Sequence, residues 1–180
     1  WMARHCGSDH HELVVNEEDA LDWVQQALLV LDGPTSGGIN TFLISRAVAN
    51  QGIKVALSGL GADELFGGYP WRYYRGVGAK NFKEYIDEYY SYWQRLIPNA
   101  DISEVFAPVC GDVKDVWTRD IFEDVFSNHA NSLDKPEDFI NHSLYFEAKT
   151  FLHGLFVVED KLSMAHSLET RVPFMDNDLV

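Results

Sequence analysis

Basic side chains are scarce in this sequence. Its 180 residues contain 14 Lys and Arg against 28 Asp and Glu, a formal net charge of −14 at pH 7 with neutral histidines. A surface of this sign repels phosphate backbones, so the composition argues against a nucleic-acid-binding protein. We therefore expect partners other than DNA or RNA.

Cysteines and long apolar runs are also scarce. Cys6 and Cys110 are too few for a disulfide framework, so we expect two free thiols in a reducing compartment. The sequence shows no signal peptide, and no apolar run approaches the roughly 20 residues of a membrane-spanning helix. These features predict a cytoplasmic protein that does not bind membranes. With 46% hydrophobic residues, the chain can still bury a sizeable core.

Neighbouring histidines near the N-terminus raise the question of a metal site. His10, His11 and Glu12 lie in a stretch, 7–15, that we predict to be a turn followed by a short strand. Neighbouring side chains of a strand point to opposite faces, and the sequence has no His-x-x-x-His pair. The spacing therefore argues against a histidine metal site.

The first third of the chain has the pattern of a layered α/β fold. Asn16 caps a predicted helix that ends at 32–35, and a second helix is predicted over 41–50. Residues 53–57, Ile-Lys-Val-Ala-Leu, then read as a fully buried strand of the parallel type. Helix, turn, strand and glycine turn in succession are typical of a parallel sheet with flanking helices.

The glycine-rich stretch Thr35–Thr41 has two interpretations. It could be a phosphate-binding loop, but such a loop follows a buried strand, and this one follows a helical pattern. It also lacks a Lys or Asp to handle phosphate or a metal ion. We favour a loop that leads into a helix capped by Asn40 or Thr41.

The second half of the chain is predicted to be mainly helical, with no further strong strand. Aromatic residues recur at helical spacing over 81–97 and predict a helix that packs through its aromatic face. Asp112 is the predicted cap of a helix reaching Val125. Pro136 is predicted to open the next helix, and the residues predicted to face inward are Ile140, Leu144, Ala148, Phe151 and Leu152.

One stretch, Val55–Tyr69, combines a strand with polar groups at its end. The apolar run stops at Ser58-Gly59, and the two carboxylates Asp63 and Glu64 follow. Ligands bind at the carboxyl ends of strands in open α/β sheets. Periodicity alone thus predicts a ligand site of unknown kind at this point of the chain.

Lys161 interrupts an apolar helix predicted over 155–166. A lysine in such a helix needs an anionic partner, because an unpaired buried ammonium group is costly. The partner is either structural, Asp160 or Glu169, or the phosphate of a ligand. The pattern does not decide between these alternatives.

Two stretches read together resemble one known family. Val55–Tyr69 resembles the Ser-Gly-x-Gly-x-Asp-Glu segment of asparagine synthetases, and Asp160–Asp176 resembles the C-terminal signature of the same family. Two shorter segments, 8–12 and 32–35, fit the family in the same order. The resemblance covers nearly the whole chain. It implies that residues 1–180 are part of one ATP pyrophosphatase domain of the adenine nucleotide alpha hydrolase-like fold, with an α/β portion over 1–69 and a mainly helical portion over 70–180.

The resemblance implies ATP-dependent formation of an amide. A carboxylate, aspartate by default, would attack the α-phosphate of ATP to give an acyl-adenylate and pyrophosphate. Ammonia from an N-terminal glutaminase domain would then displace AMP. ATP and Mg²⁺ are the implied cofactors, and a homodimer is compatible with the family.

Six site residues follow from the matching motif positions. Ser58 and Gly59 match the nucleotide-contacting pair, and Gly61 is assigned to the same nucleotide site. Asp63 matches a Mg²⁺ ligand. The resemblance further implies two catalytic residues: Glu64, beside the metal ligand, and Lys161, which steadies the phosphates. Arg171 also matches a family position, although a structural pair with Glu169 explains it equally well.

The sequence departs from the family in two respects. The pyrophosphate loop of the family, Ser-Gly-Gly-x-Asp-Ser, is absent. Ser36-Gly37-Gly38 matches only its beginning, and Asn40 occupies the position of its metal-binding aspartate. Leu60 occupies a position where well-known members have glutamate. We therefore expect a piece of a longer protein that is inactive by itself. Another carboxylate acceptor, or a non-catalytic module with this fold, remains an alternative.

Overall fold

The computed structural model describes residues 1–31, 37–94, 97–113, 115–129 and 132–180. These residues form two compact units. The first, called the sheet unit below, comprises Trp1–Leu60 and Gly154–Leu179. The second, called the helical unit, comprises Gly61–His153 together with Val180.

Helices make up most of the regular structure. In chain order they are α1 (Met2–Cys6), α2 (Glu17–Val30), α3 (Ile39–Asn50), α4 (Ala62–Phe66), α5 (Pro70–Tyr73), α6 (Phe82–Trp93), α7 (Ile102–Val105), α8 (Cys110–Val113), α9 (Thr118–Asp124), α10 (Pro136–Lys149) and α11 (Phe151–Met164). In the described ranges, 3-10 turns lie at Tyr74–Gly76, Asn99–Asp101, Ala107–Val109 and Pro173–Met175. No helix in the described part of the chain is both long and apolar enough to cross a membrane.

A short parallel pair of strands defines the sheet unit. Strand β1 (Val55–Leu57) pairs with β2 (Glu169–Arg171), and Ala56 lies opposite Thr170. This pairing confirms the predicted α/β class with parallel strands. Strand β2 was not among the predicted elements, because Glu-Thr-Arg is too short and too polar to show a strong strand pattern.

The expected full burial of β1 was also wrong. The exposed fractions of Val55 and Leu57 are 42% and 75%. Among the described residues, β2 is the strand that pairs with β1, and a two-stranded sheet leaves apolar side chains open to solvent. The apolar run therefore predicted the strand correctly, but the strand is less buried than this run led us to expect.

The core of the sheet unit forms between helices. Ala27 and Leu31 pack with Phe42 of α3 and Leu162 of α11. Asn16 caps α2 as predicted, since its side-chain oxygen accepts a hydrogen bond from the Asp19 N–H at 2.8 Å. The exposed thiol of Cys6 is free, whereas the side chain of Cys110 lies outside the described part.

Two predictions near the N-terminus were wrong. The predicted strand after Gly7 is absent, because residues 8–16 form no regular element in this described segment. Helix α3 begins behind Gly38, not behind a cap at Asn40 or Thr41. Gly38 has φ +95°, and a Cβ there would meet the side chains of Val158 and Leu162, so the close approach requires glycine. Residues 32–36 of the predicted turn and glycine-rich loop lie outside the described part.

Aromatic packing builds the core of the helical unit, as the sequence predicts. Tyr85, Ile86 and Tyr89 of α6 are fully buried, and they join a cluster that includes Phe122, Phe126, Phe139 and Phe146. The cap predicted at Asp112 was wrong, since α9 begins after Trp117. Helix α10 begins at Pro136 as predicted. Phe139 and Phe146 of this helix pack against α6, whereas Ile140 and Leu144, two of the predicted inward residues, are only half-buried.

Candidate functional site

Ser58 and Gly59 lie directly beyond the carboxyl end of β1. The Ser58 N–H donates to the Arg171 carbonyl oxygen at 2.8 Å, which continues the strand pairing by one residue. The Ser58 hydroxyl oxygen accepts a hydrogen bond from the Leu60 N–H at 3.3 Å and so holds the turn. Gly59 is exposed, and a Cβ at this position would meet no atom within 4 Å. Packing within the protein therefore does not explain a glycine there.

Lys161 lies on α11 in the same sheet unit. Its side chain is half-buried, beside the fully buried Leu162 and Ser163. Glu169, one of the predicted partners, accepts a 2.8 Å hydrogen bond from Arg171 Nε. The structure therefore supports the interpretation of Arg171 as the structural partner of Glu169.

The other three predicted residues belong to the helical unit. Gly61, at φ +91°, is the first residue of the turn into α4, and Gly67, at φ +75°, ends this helix. Asp63 and Glu64 lie in the first turn of α4. The six predicted residues thus form two groups, one in each unit: Ser58, Gly59 and Lys161 in the first, and Gly61, Asp63 and Glu64 in the second.

Asp63 is an exposed residue whose backbone is held by hydrogen bonds. Its carbonyl oxygen accepts hydrogen bonds from the Gly68 N–H at 2.8 Å and from the Tyr73 hydroxyl at 3.3 Å. A Cβ at residue 68 would collide with the Asp63 side chain. The second glycine of the Gly67-Gly68 pair therefore makes room for this carboxylate.

Glu64 is buried, with an exposed fraction of 2%. The Tyr69 hydroxyl donates a 3.0 Å hydrogen bond to Glu64 Oε1. Burial, followed by the two carboxylates Glu64 and Asp63, raises the pKa of Tyr69 far above that of a free tyrosine. Tyr69 therefore stays protonated at neutral pH and remains a donor to Glu64.

A buried ion pair, which the sequence interpretation missed, lies behind Tyr69. Arg72 Nη1 donates to Glu147 Oε2 at 3.2 Å, and the Tyr89 hydroxyl donates to Glu147 Oε1 at 2.9 Å. Burial raises the pKa of Glu147, against the opposing effect of its hydrogen bonds from Tyr89 and Arg72. The sequence did contain one signal of this buried pair, because Glu147 falls on the same face of α10 as Phe139 and Ser143.

Asp63 is the residue on α4 that could hold a Mg²⁺ ion together with phosphate. No group of three or more His, Cys, Asp or Glu side chains that could hold a metal occurs within the described ranges. Mg²⁺ commonly binds through one or two carboxylates and takes its other ligands from water and phosphate. The exposed Asp63 offers such a carboxylate, and the buried Glu64 beside it accepts a hydrogen bond from Tyr69.

Comparison with known families identifies the family to which the chain belongs. The asparagine synthase family model matches residues 1–180, so the chain belongs to the asparagine synthase family. The prediction of the family is therefore confirmed. The family has the adenine nucleotide alpha hydrolase-like fold, in agreement with the parallel strands and flanking helices described above.

Curated relatives extend well beyond the region that they share with this chain. Asparagine synthetase [glutamine-hydrolyzing] 3 of Bacillus subtilis is 28% identical over 186 residues, which cover 99% of this chain and 28% of the relative. A putative asparagine synthetase of Mycobacterium bovis is 28% identical over 98% of the chain and 31% of its own length. Asparagine synthetase B of Escherichia coli is 32% identical over 46% of the chain and 16% of the relative. The chain thus spans less than a third of the relatives that it matches along its length.

Proposed function

We propose that the chain is part of a glutamine-hydrolysing asparagine synthetase that forms an amide from a carboxylate, with aspartate as the default acceptor. Membership of the family and the names of the relatives support this proposal. The observation that carries it is the turn after β1, where an exposed glycine without a packing role is followed by two carboxylates. ATP and Mg²⁺ are the proposed cofactors.

The proposed reaction has two steps. A carboxylate oxygen of the acceptor attacks the α-phosphorus of ATP, and pyrophosphate leaves with the electron pair of the broken P–O bond. Ammonia released from glutamine then attacks the acyl carbon, and AMP leaves with that carboxylate oxygen as the amide forms. Negative charge develops on oxygen atoms in both steps, so cations and oriented donors contribute most of the catalysis.

Each predicted residue has a role in this chemistry. Lys161 supplies a positive charge for the phosphates, and Ser58 with Gly59 provides the polar turn against which the nucleotide binds. Gly61 allows the chain to enter α4 at positive φ. Bound Mg²⁺ would neutralise phosphate charge, and Asp63 would hold it. Glu64 supports Asp63 from a buried position fixed by Tyr69.

Leu60 favours an additional candidate for the acceptor. Its side chain is half-buried next to the nucleotide turn and cannot carry charge or transfer a proton. The family's usual glutamate is therefore not available to act on aspartate at this position. A different acceptor, such as a sugar acid or a peptide carboxylate, is the second candidate, and a module without catalytic activity is the third.

Exchange of labelled pyrophosphate into ATP by the full-length protein tests the first step. Aspartate should stimulate the exchange, and D63N and K161A should each lower it by about 10²-fold or more. K149A, which removes an exposed lysine elsewhere, is the matched control. Unchanged exchange in both site variants would refute the assigned roles. A panel of carboxylates in the same assay identifies the acceptor.

A further inference from the structure

The pair Arg72–Glu147 is a buried charge cluster that the proposed chemistry does not use. The side chain of Arg72 is 15% exposed and that of Glu147 is fully buried. Three aromatic rings enclose the guanidinium carbon, at 3.9 Å from the ring centroid of Tyr69, 4.6 Å from that of Phe151 and 5.4 Å from that of Trp93. Arg72 therefore has little freedom to move.

Stability alone does not account for this cluster. A buried ion pair often stabilises a protein no more than apolar side chains of similar volume would, because both charges lose their hydration. The core of the helical unit is largely aromatic, so apolar replacements would have apolar neighbours. The contacts of the cluster with neighbouring residues are therefore the best guide to its role.

Two connections lead from the cluster to α4, one to the Glu64 carboxylate and one to the Asp63 backbone. The Arg72 guanidinium lies over the ring of Tyr69, and the hydroxyl of that ring donates to Glu64. The backbone supplies the second connection, since the Tyr69 N–H donates to the Tyr73 hydroxyl at 3.4 Å and this hydroxyl donates to the Asp63 carbonyl oxygen. Both connections pass through Tyr69.

We propose that Arg72 and Glu147 are positioning residues for a divalent cation that binds at Asp63. Glu147 fixes the guanidinium of Arg72, Arg72 fixes the ring of Tyr69, and the Tyr69 hydroxyl fixes Glu64 beside Asp63. Partners that orient metal-binding carboxylates in this way commonly change metal affinity or activity by about 10- to 100-fold when they are removed. The inference rests on the proposed function for the identity of the ion.

Terbium binding to the full-length protein tests the inference without turnover. Tb³⁺ is titrated in the presence of a non-hydrolysable ATP analogue, and the midpoint is used, because the luminescence intensity itself depends on nearby aromatic rings. The variant Y69F removes one hydroxyl and keeps the ring under Arg72. We expect its midpoint to rise by about tenfold or more, and that of E147Q to rise similarly.

Y90F is the matched control for the loss of a tyrosine hydroxyl. Tyr90 belongs to the same unit, and its hydroxyl shares a 2.6 Å hydrogen bond with Thr118 Oγ1. Its Tb³⁺ midpoint should equal that of the wild type. In the exchange assay, Y69F should need more Mg²⁺ and should recover most of its kcat at saturating Mg²⁺, which a general loss of folding would not produce.

The outcomes separate this inference from the proposed function. A folded Y69F protein with the wild-type Tb³⁺ midpoint and the wild-type Mg²⁺ requirement overturns the positioning role, even if the wild type catalyses exchange. Absence of Tb³⁺ binding by the wild type also overturns it. A raised midpoint in Y69F together with no exchange by the wild type supports the positioning role and refutes the proposed function. If E147Q does not fold, R72K takes its place, and a wild-type midpoint in that variant overturns the role of the ion pair even if Y69F raises the midpoint.

Discussion

Gly68 lies against the side chain of Asp63 in the helical unit. The Gly68 N–H donates to the Asp63 carbonyl oxygen at 2.8 Å, and the space where a Cβ would stand at residue 68 is taken by the Asp63 carboxylate and Cβ. The stretch from Asp63 to Gly68 is thus a closed turn in which the glycine determines where the carboxylate lies.

The substitution G68A should displace Asp63. Because the added methyl would meet Asp63 near its Cβ and not only at its flexible end, the backbone has to shift, at a cost of about 1–3 kcal/mol in the free energy of unfolding. Metal affinity should fall at the same time. Chemical denaturation and Tb³⁺ titration measure the two effects.

G154A serves as the control for an added methyl group. Gly154 lies in α11, and a Cβ there would meet no atom within 4 Å. Alanine is favoured over glycine in a helix by about 0.5–1 kcal/mol, so this variant should be slightly more stable than the wild type. Equal Tb³⁺ affinities for G68A and the wild type would contradict the placement of Asp63 by Gly68.

The substitution G59A should separate binding from folding. Gly59 is exposed, its φ lies outside the left-handed region, and a Cβ has open space, so the free energy of unfolding should change by less than about 0.5 kcal/mol. If the nucleotide binds against this backbone, the methyl group should weaken ATP binding by about tenfold or more. Calorimetric titration of the full-length protein with ATP measures this. An unchanged affinity would remove Gly59 from the nucleotide site.

His129 should make the stability of the protein sensitive to acid. His142 Nε2 lies 2.7 Å from the Ser132 carbonyl oxygen, which can only accept, so His142 donates there and its Nδ1 accepts from His129 Nε2 at 3.0 Å. Burial, followed by the neighbouring His142, lowers the pKa of His129. The neutral form of His129 is therefore the one that the folded state favours.

The sign of the pH effect follows from that direction. A histidine with a lowered pKa in the folded state contributes stability above its unfolded pKa of about 6.5, and this stability is lost as the pH falls through the folded pKa. H129Q should flatten the decline in the free energy of unfolding below about pH 6.5. H153Q, at an exposed histidine, is the control. Parallel curves for H129Q and the wild type would show that His129 does not contribute.

The 180-residue chain alone should bind ATP weakly. It lacks the Ser-Gly-Gly-x-Asp-Ser loop that its resemblance to the family leads us to expect, so we expect its phosphate site to be incomplete. We expect a Kd above about 1 mM, equivalent to less than about 4 kcal/mol of binding free energy. Isothermal titration of the folded chain with ATP and Mg²⁺ measures it. A micromolar Kd would show that these residues form a complete nucleotide site.

Local sequence patterns predicted several elements correctly. Asn16 has the residue type and the following acidic turn of a helix cap, and its side chain does cap α2. The aromatic spacing over 81–97 likewise predicted that Tyr85 and Tyr89 face the core. The two long motifs identified the family because both residue types and spacing are specific there.

Interactions between distant parts of the chain were not predictable in the same way. Strand β2 has no apolar alternation and exists because β1 offers it a parallel partner. Arg72 and Glu147 are 75 residues apart, and neither neighbourhood alone shows that they pair. The role of Gly68 depends on the fold of the turn around Asp63, so its sequence position reveals only a turn.

The transfer of ¹⁸O from the acceptor carboxylate tests the proposed reaction most directly. The full-length protein is incubated with ATP, Mg²⁺, glutamine and aspartate labelled with ¹⁸O in its side-chain carboxylate, and the AMP is analysed by mass spectrometry. Attack of that carboxylate on the α-phosphorus predicts one ¹⁸O atom in each AMP formed. Asparagine formation with unlabelled AMP would contradict the acyl-adenylate route.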